Sequence, residues 1–102
     1  MQVKINDDVK DFLAGLEPMQ KPRVRRCISL LEDYGHMLRM PFSRNILPGI
    51  FELRITGAVN IRLVFVYHNN AAHIFYAFIK KTNEISSTDM NSILLKCKHL
   101  QL

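Results

Sequence analysis

The stretch Ile50-Phe-Glu-Leu-Arg-Ile55, with Asn60-Ile-Arg-Leu-Val-Phe-Val-Tyr67 and Ala72-His-Ile-Phe-Tyr-Ala-Phe-Ile-Lys-Lys81 behind it, decides the fold. In its first run Phe51, Leu53 and Ile55 alternate with Glu52 and Arg54, a period of two that gives a strand one apolar and one polar face. Arg54 is therefore expected to point away from the core. Gly57 marks a turn, and the next strand, Ile61 to Tyr67, is apolar apart from Arg62. A cation in such a strand needs water, a partner or a ligand. After the turn pair Asn69-Asn70, a third strand from Ala72 to Ile79 ends in Lys80 and Lys81. Neighbouring antiparallel strands lie about 4.8 Å apart, so Arg54, Arg62 and a strand-end lysine can converge on one phosphate-sized volume.

Working outward, Ser43 to Leu47 reads as a further strand, closed onto the first by Pro48-Gly49. Before it, His36 to Pro41 is a connection whose Met37, Leu38 and Met40 are expected to tuck onto the core. A helix from Pro18 or Lys21 to Tyr34 carries the stripe Val24, Cys27, Ile28, Leu31 and Tyr34, with Pro22 tolerated in its first turn and Gly35 as its stop. An earlier helix, capped by Asn6 or Asp7, has Val9, Phe12, Leu13 and Leu16 at i, i+3, i+4 and i+7. Val3 and Ile5 alternate with Lys4 as a very short edge strand. At the other end, Ser87 or Thr88 caps a last helix with Ile93, Leu94 and Cys97 on its apolar side. The expected fold is α+β: two N-terminal helices packed on one face of a small antiparallel sheet of about four strands, and a short C-terminal helix. The other sheet face, with Arg54 and Arg62, is expected to be open and polar.

At 102 residues and 48% hydrophobic content, the chain reads as a single domain, 1–102, long enough to close one core. Its 14 basic and 9 acidic residues give a net charge of +5, and the excess lies in the middle. Residues 21–62 carry eight basic side chains against Glu32, Asp33 and Glu52. That balance favours phosphate-rich partners, although a solvated basic surface accounts for it equally well. Arg23, Arg25 and Arg26 read mainly as such a surface. Cys27 and Cys97 have no paired spacing, so neither a metal site nor a disulfide framework is indicated, and a reducing cytoplasm fits. The acidic N-terminus lacks the apolar run of a signal peptide, and no stretch reaches the roughly 20 apolar residues of a membrane span. The expectation is a cytoplasmic protein with no membrane partner.

Phe51-Glu52-Leu53-Arg54, Arg62 followed by its apolar strand, and Phe78-Ile79-Lys80-Lys81-Thr82 together resemble the RelE/ParE toxin superfamily, in its HigB-like, phage-related branch. Leu30-Leu31 with Tyr34-Gly35, the Pro41 connection and Pro48-Gly49 extend the resemblance over roughly residues 9 to 95 in order. It implies one RelE-like toxin domain of a type II toxin–antitoxin pair. Such a toxin cuts messenger RNA on the ribosome until a cognate helix-turn-helix antitoxin covers it, and it uses no metal and no small-molecule cofactor. The same scaffold also serves non-enzymatic gyrase inhibitors of ParE type, and an inactive relative would remain an antitoxin-binding module.

The chemistry can be weighed on the residues as well as on the resemblance. Metal-independent RNA cleavage needs a 2′-hydroxyl to attack the neighbouring phosphate, so a site must accept one proton, donate another and stabilise a pentacoordinate transition state. Arginine binds phosphate oxygens bidentately and stays charged, which makes Arg54 and Arg62 the candidates for the last task. A lysine among other cations has its pKa lowered and can share in proton transfer, a role open to Lys80 or Lys81. The two have opposite strand parity, so only one faces the cleft. Arg44, Tyr67 and Phe78 are the candidate RNA contacts, the aromatics fitting either a core or rim position or a stacking platform. Blander readings stand beside these: an ordinary ion pair of Arg54 with Glu52, a solubilising Lys80-Lys81 edge, and exposed hairpin histidines at His68 and His73.

Overall fold

The computed structural model describes all 102 residues. Their order is β1 (Gln2–Ile5), α1 (Asp7–Ala14), α2 (Lys21–Tyr34), β2 (Ser43–Leu47), β3 (Ile50–Ile55), β4 (Ile61–His68), β5 (Ala71–Ile79) and α3 (Ser87–Lys98), with a short 3-10 turn at Gly35–Met37. Turn chemistry sets the meander. Pro48-Gly49 joins β2 to β3 with Gly49 at φ +75°, and Asn69-Asn70 joins β4 to β5 with both residues at positive φ, as a tight hairpin turn demands. Helix ends follow their caps. Asn6 Oδ1 accepts from the Val9 amide at 2.9 Å, and the Ser86 hydroxyl, one residue before the first of the expected caps, accepts from the Asp89 amide at 3.1 Å.

Two features overturn the expected sheet and its one-sided helices. The sheet has five strands in the order β1-β5-β4-β3-β2, and β1 runs parallel to β5, so it is mixed rather than antiparallel. Val3 and Ile5 supply the side chains for that edge, and Asn6 prolongs it by donating its amide to Ile74 O at 3.2 Å and its side chain to Phe75 O at 3.1 Å. The helices also divide between the two faces. Helices α1 and α2 bury Val9, Val24, Cys27 and Leu31 against Leu53, Ile55, Leu63, Phe65 and Ile74. On the opposite face, Ile93 of α3 is fully buried with Ile50, Val64, Phe75 and Phe78.

A bulge between Val64 and Phe65 explains how β5 supplies that second core. Phe65 pairs with Ile74 and Val64 with Tyr76, leaving Phe75 as the extra residue, and it packs with Ile93 and Phe78. The face that reads as open in the sequence is therefore partly roofed by α3. In the connection, Leu38 packs against the core as expected, but Met37 and Met40 are exposed. Tyr34 and Leu94, expected on apolar helix sides, are also exposed. No helix is long and apolar enough to cross a membrane.

Candidate functional site

Register places the cations. Arg44 pairs with Glu52, Glu52 with Val64, Arg54 with Arg62, and Arg62 with Phe78. Cross-strand partners point to the same side of a sheet, so Arg44, Glu52, Arg54 and Arg62 share one face, the one on which α3 sits.

Glu52 is the hub of this face. Its carboxylate is wholly buried and meets three arginine Nε atoms: Arg44 at 3.1 Å, Arg62 at 3.5 Å and Arg54 at 3.7 Å. All three are charge contacts rather than well-formed hydrogen bonds, and neither carboxylate oxygen has a hydrogen-bond partner. Each guanidinium turns its Nε edge towards the carboxylate, and their exposure is graded. The side chain of Arg62 is 4% exposed, that of Arg54 19% and that of Arg44 44%. Arg62 Nη1 also donates to the Ile61 carbonyl at 3.1 Å, and Arg54 Nη1 donates to the Pro41 carbonyl at 3.3 Å. Three guanidiniums against one carboxylate leave two positive charges uncompensated within the cluster. Burial lowers the pKa of Arg62; Glu52 opposes that shift, while Arg54 and Arg44 add to it.

Lys80 joins this group and Lys81 does not. The amide of Lys80 donates to Asn60 O at 2.8 Å, carrying β5 one residue beyond Ile79. Its ammonium pKa is lowered, first by desolvation and then by the charge of Arg62, with smaller contributions from Arg44 and Arg54 that Glu52 opposes. Lys81 is exposed and, with Lys80, lines a small pocket of about 150 Å³ beside Glu84 and Asp89.

Neither aromatic candidate touches Glu52, although Tyr67 shares a pocket of about 400 Å³ with Arg44 at the outer strand. Phe78 lies beside Arg62 in register but is buried in the core under α3. Tyr67 is on the α1–α2 face, where its hydroxyl donates to Gly35 O at 3.1 Å and its ring lies 4.0 Å from that of His36. His68 and His73 are half-buried rather than exposed, with His73 Nε2 3.3 Å from the His68 carbonyl. No three His, Cys, Asp or Glu side chains gather as a metal site. Glu52 is the site residue that sequence reasoning treats only as a salt-bridge partner. The signal for it was present: a glutamate on the strand face shared with Arg54, one turn pair away from Arg44.

A family model for phage-derived Gp49-like proteins (DUF891) matches residues 11–98. The chain belongs to the Gp49-like family. That family is known within the RelE/HigB-like toxin group, which agrees with the sequence resemblance at the level of the family. No curated protein matches the chain. In this Gp49-like protein, the matched region spans the second half of α1 and all of α2, the whole meander and α3, so every member of the Glu52 cluster lies inside it. Chemically, the cluster gathers excess positive charge around a buried carboxylate, an arrangement suited to an oxyanion.

Proposed function

We propose that this Gp49-like protein is the toxin of a type II toxin–antitoxin pair and cuts messenger RNA on the ribosome by a metal-independent reaction. The observation that carries the proposal is the gathering of Arg44, Arg54 and Arg62 around one buried carboxylate, with Lys80 two residues beyond Phe78, the register partner of Arg62. The 2′-hydroxyl gives up its proton to solvent as its oxygen bonds to phosphorus and the bond to the 5′-oxygen breaks, giving a 2′,3′-cyclic phosphate and, once the departing oxygen is protonated, a free 5′-hydroxyl. Arg54 and Arg62 take the non-bridging oxygens, whose charge grows in the transition state, and Glu52 keeps their donors aligned. Lys80, as an ammonium beside Arg62, gives the proton to the departing 5′-oxygen. A helix-turn-helix antitoxin neutralises the toxin by covering this face.

Primer extension on cellular messenger RNA after induced expression tests the proposal. Discrete cuts are expected with the wild type and none with a folded Arg54→Ala, Arg62→Ala variant. Growth arrest without cuts would overturn the ribonuclease reading and direct attention to gyrase. Neither cuts nor arrest would leave an antitoxin-binding module.

A further inference from the structure

Between α2 and the end of β3 lies a pocket of about 190 Å³, walled by Arg23, Arg26, Arg54, Thr56, Pro41 and Phe42. No carboxylate lines it, and neither Arg23 nor Arg26 forms an ion pair. The Cys27 thiol at its floor offers no negative charge, because burial pushes its pKa up, against the opposing effect of Arg26. Arg23 and Arg26 bring two positive charges that no carboxylate of the lining offsets, and a bound anion would meet both.

The pocket is organised rather than incidental. Arg23 Nη1 donates to the Thr56 carbonyl at 3.1 Å, and the guanidinium lies over Gly57, where a Cβ would come within 2.8 Å of that nitrogen. Glycine thus leaves room for Arg23 to rest on the β3–β4 turn. Arg54 belongs to both sites. Its Nε edge faces Glu52, and its Nη1 donates to the carbonyl of Pro41, which is part of the pocket wall. The Glu52 cluster and this pocket therefore adjoin through one side chain. Arg25 and Lys21 on the same helix line a different groove, against α1.

We infer that the Arg23–Arg26–Arg54 pocket is a second phosphate subsite, holding a backbone phosphate of the same single strand whose scissile phosphate lies at the Glu52 cluster. The inference rests on the ribonuclease reading. A single-stranded nucleic acid is a row of phosphates, and proteins that follow it do so with a continuous cationic groove. Arg54 is the junction in this one.

The test is fluorescence anisotropy with a labelled single-stranded RNA of 2′-O-methyl riboses, which binds but cannot be cut, titrated over a range of salt. Each phosphate contact on a single strand contributes about 0.7 to the slope of log K against log salt. Arg26→Gln, a side chain with no hydrogen bond or ion pair to lose, lowers the slope by about 0.7, and Arg26→Lys restores it. Arg23→Gln combined with Arg26→Gln lowers it by about 1.4, whereas Arg25→Gln leaves it unchanged. Equal slopes for wild type and Arg26→Gln, the same loss in Arg25→Gln, or no binding by a wild type that still cuts would overturn the subsite alone. A wild type that neither binds this RNA nor cuts messenger RNA would overturn the ribonuclease reading, and the subsite with it.

Discussion

Arg54 and Arg62 are register partners on β3 and β4, two like charges directly opposite one another, and the Glu52 carboxylate reaches both. Like charges in that relation destabilise a sheet. Here the buried carboxylate offsets the repulsion, and the same contact fixes the donors that an oxyanion would meet.

Removing that carboxylate's charge while keeping its shape should therefore cost stability. Breaking a buried charge pair costs about 3–5 kcal/mol, and the exposed Arg44 adds little, so Glu52→Gln is expected at about 3 kcal/mol. Urea unfolding measures it. A change under about 0.5 kcal/mol, the range of ordinary surface substitutions, would mean that the arginines do not depend on Glu52.

The pH dependence follows from Lys80. Its folded-state pKa is lowered from 10.5 by burial and by Arg62. As the proton donor it must be charged, so the cleavage rate falls as pH rises through a value below 10.5. A guanidinium at this position would stay charged, so Lys80→Arg should move that alkaline limb upward in single-turnover rates. For stability the sign is the reverse. Between the folded and unfolded pKa values the unfolded chain holds more protons, so the contribution of Lys80 to stability rises with pH across that interval.

Tyr67→Phe separates the two faces of the sheet. The hydroxyl bonded to Gly35 O is lost, at about 1 kcal/mol of stability, while cleavage stays unchanged because that hydroxyl turns to the Gly35 backbone and Arg54 and Arg62 lie on the other face. A tenfold or greater loss of cleavage with the fold intact would place the scissile phosphate near Tyr67 rather than at the Glu52 cluster.

Helix α3 is tested through Ile93, which is wholly buried and fills the second core with Val64 and Phe78. Ile93→Ala should cost about 2–5 kcal/mol by thermal or urea unfolding. Because Phe78 is the register partner of Arg62, the loosened core is also expected to slow cleavage in whatever fraction stays folded.

Much of this fold was legible along the chain because its signals are local. The alternation around Glu52 and Arg54, the stripe from Val24 to Leu31, and the Pro48-Gly49 and Asn69-Asn70 turns each depend on a few adjacent residues. The parallel β1–β5 pair was not legible, since Gln2–Ile5 is only four residues long and its partner, Ala71–Ile74, lies far along the chain. The seat of α3 was hidden for a related reason. A one-residue bulge turns Tyr76 and Phe78 onto the second face beside Phe75, where strict alternation from Ile74 would leave them on the first. At the site, Arg62 announced itself as a cation in an apolar strand. The hub role of Glu52 required the register of three strands at once, and so did the exclusion of Tyr67 from the same face.

The most direct measurement is the single-turnover rate of messenger RNA cleavage on translating ribosomes, for wild type and for Arg62→Lys. Lysine keeps the charge but loses the planar fork held against Glu52, and removing one such transition-state donor costs about 100-fold or more. A drop of that size with the fold and the Glu52 contacts of Arg44 and Arg54 preserved is expected if the cluster does the cutting. A lysine variant that cuts at the wild-type rate would show that the arginines around Glu52 only hold the sheet together.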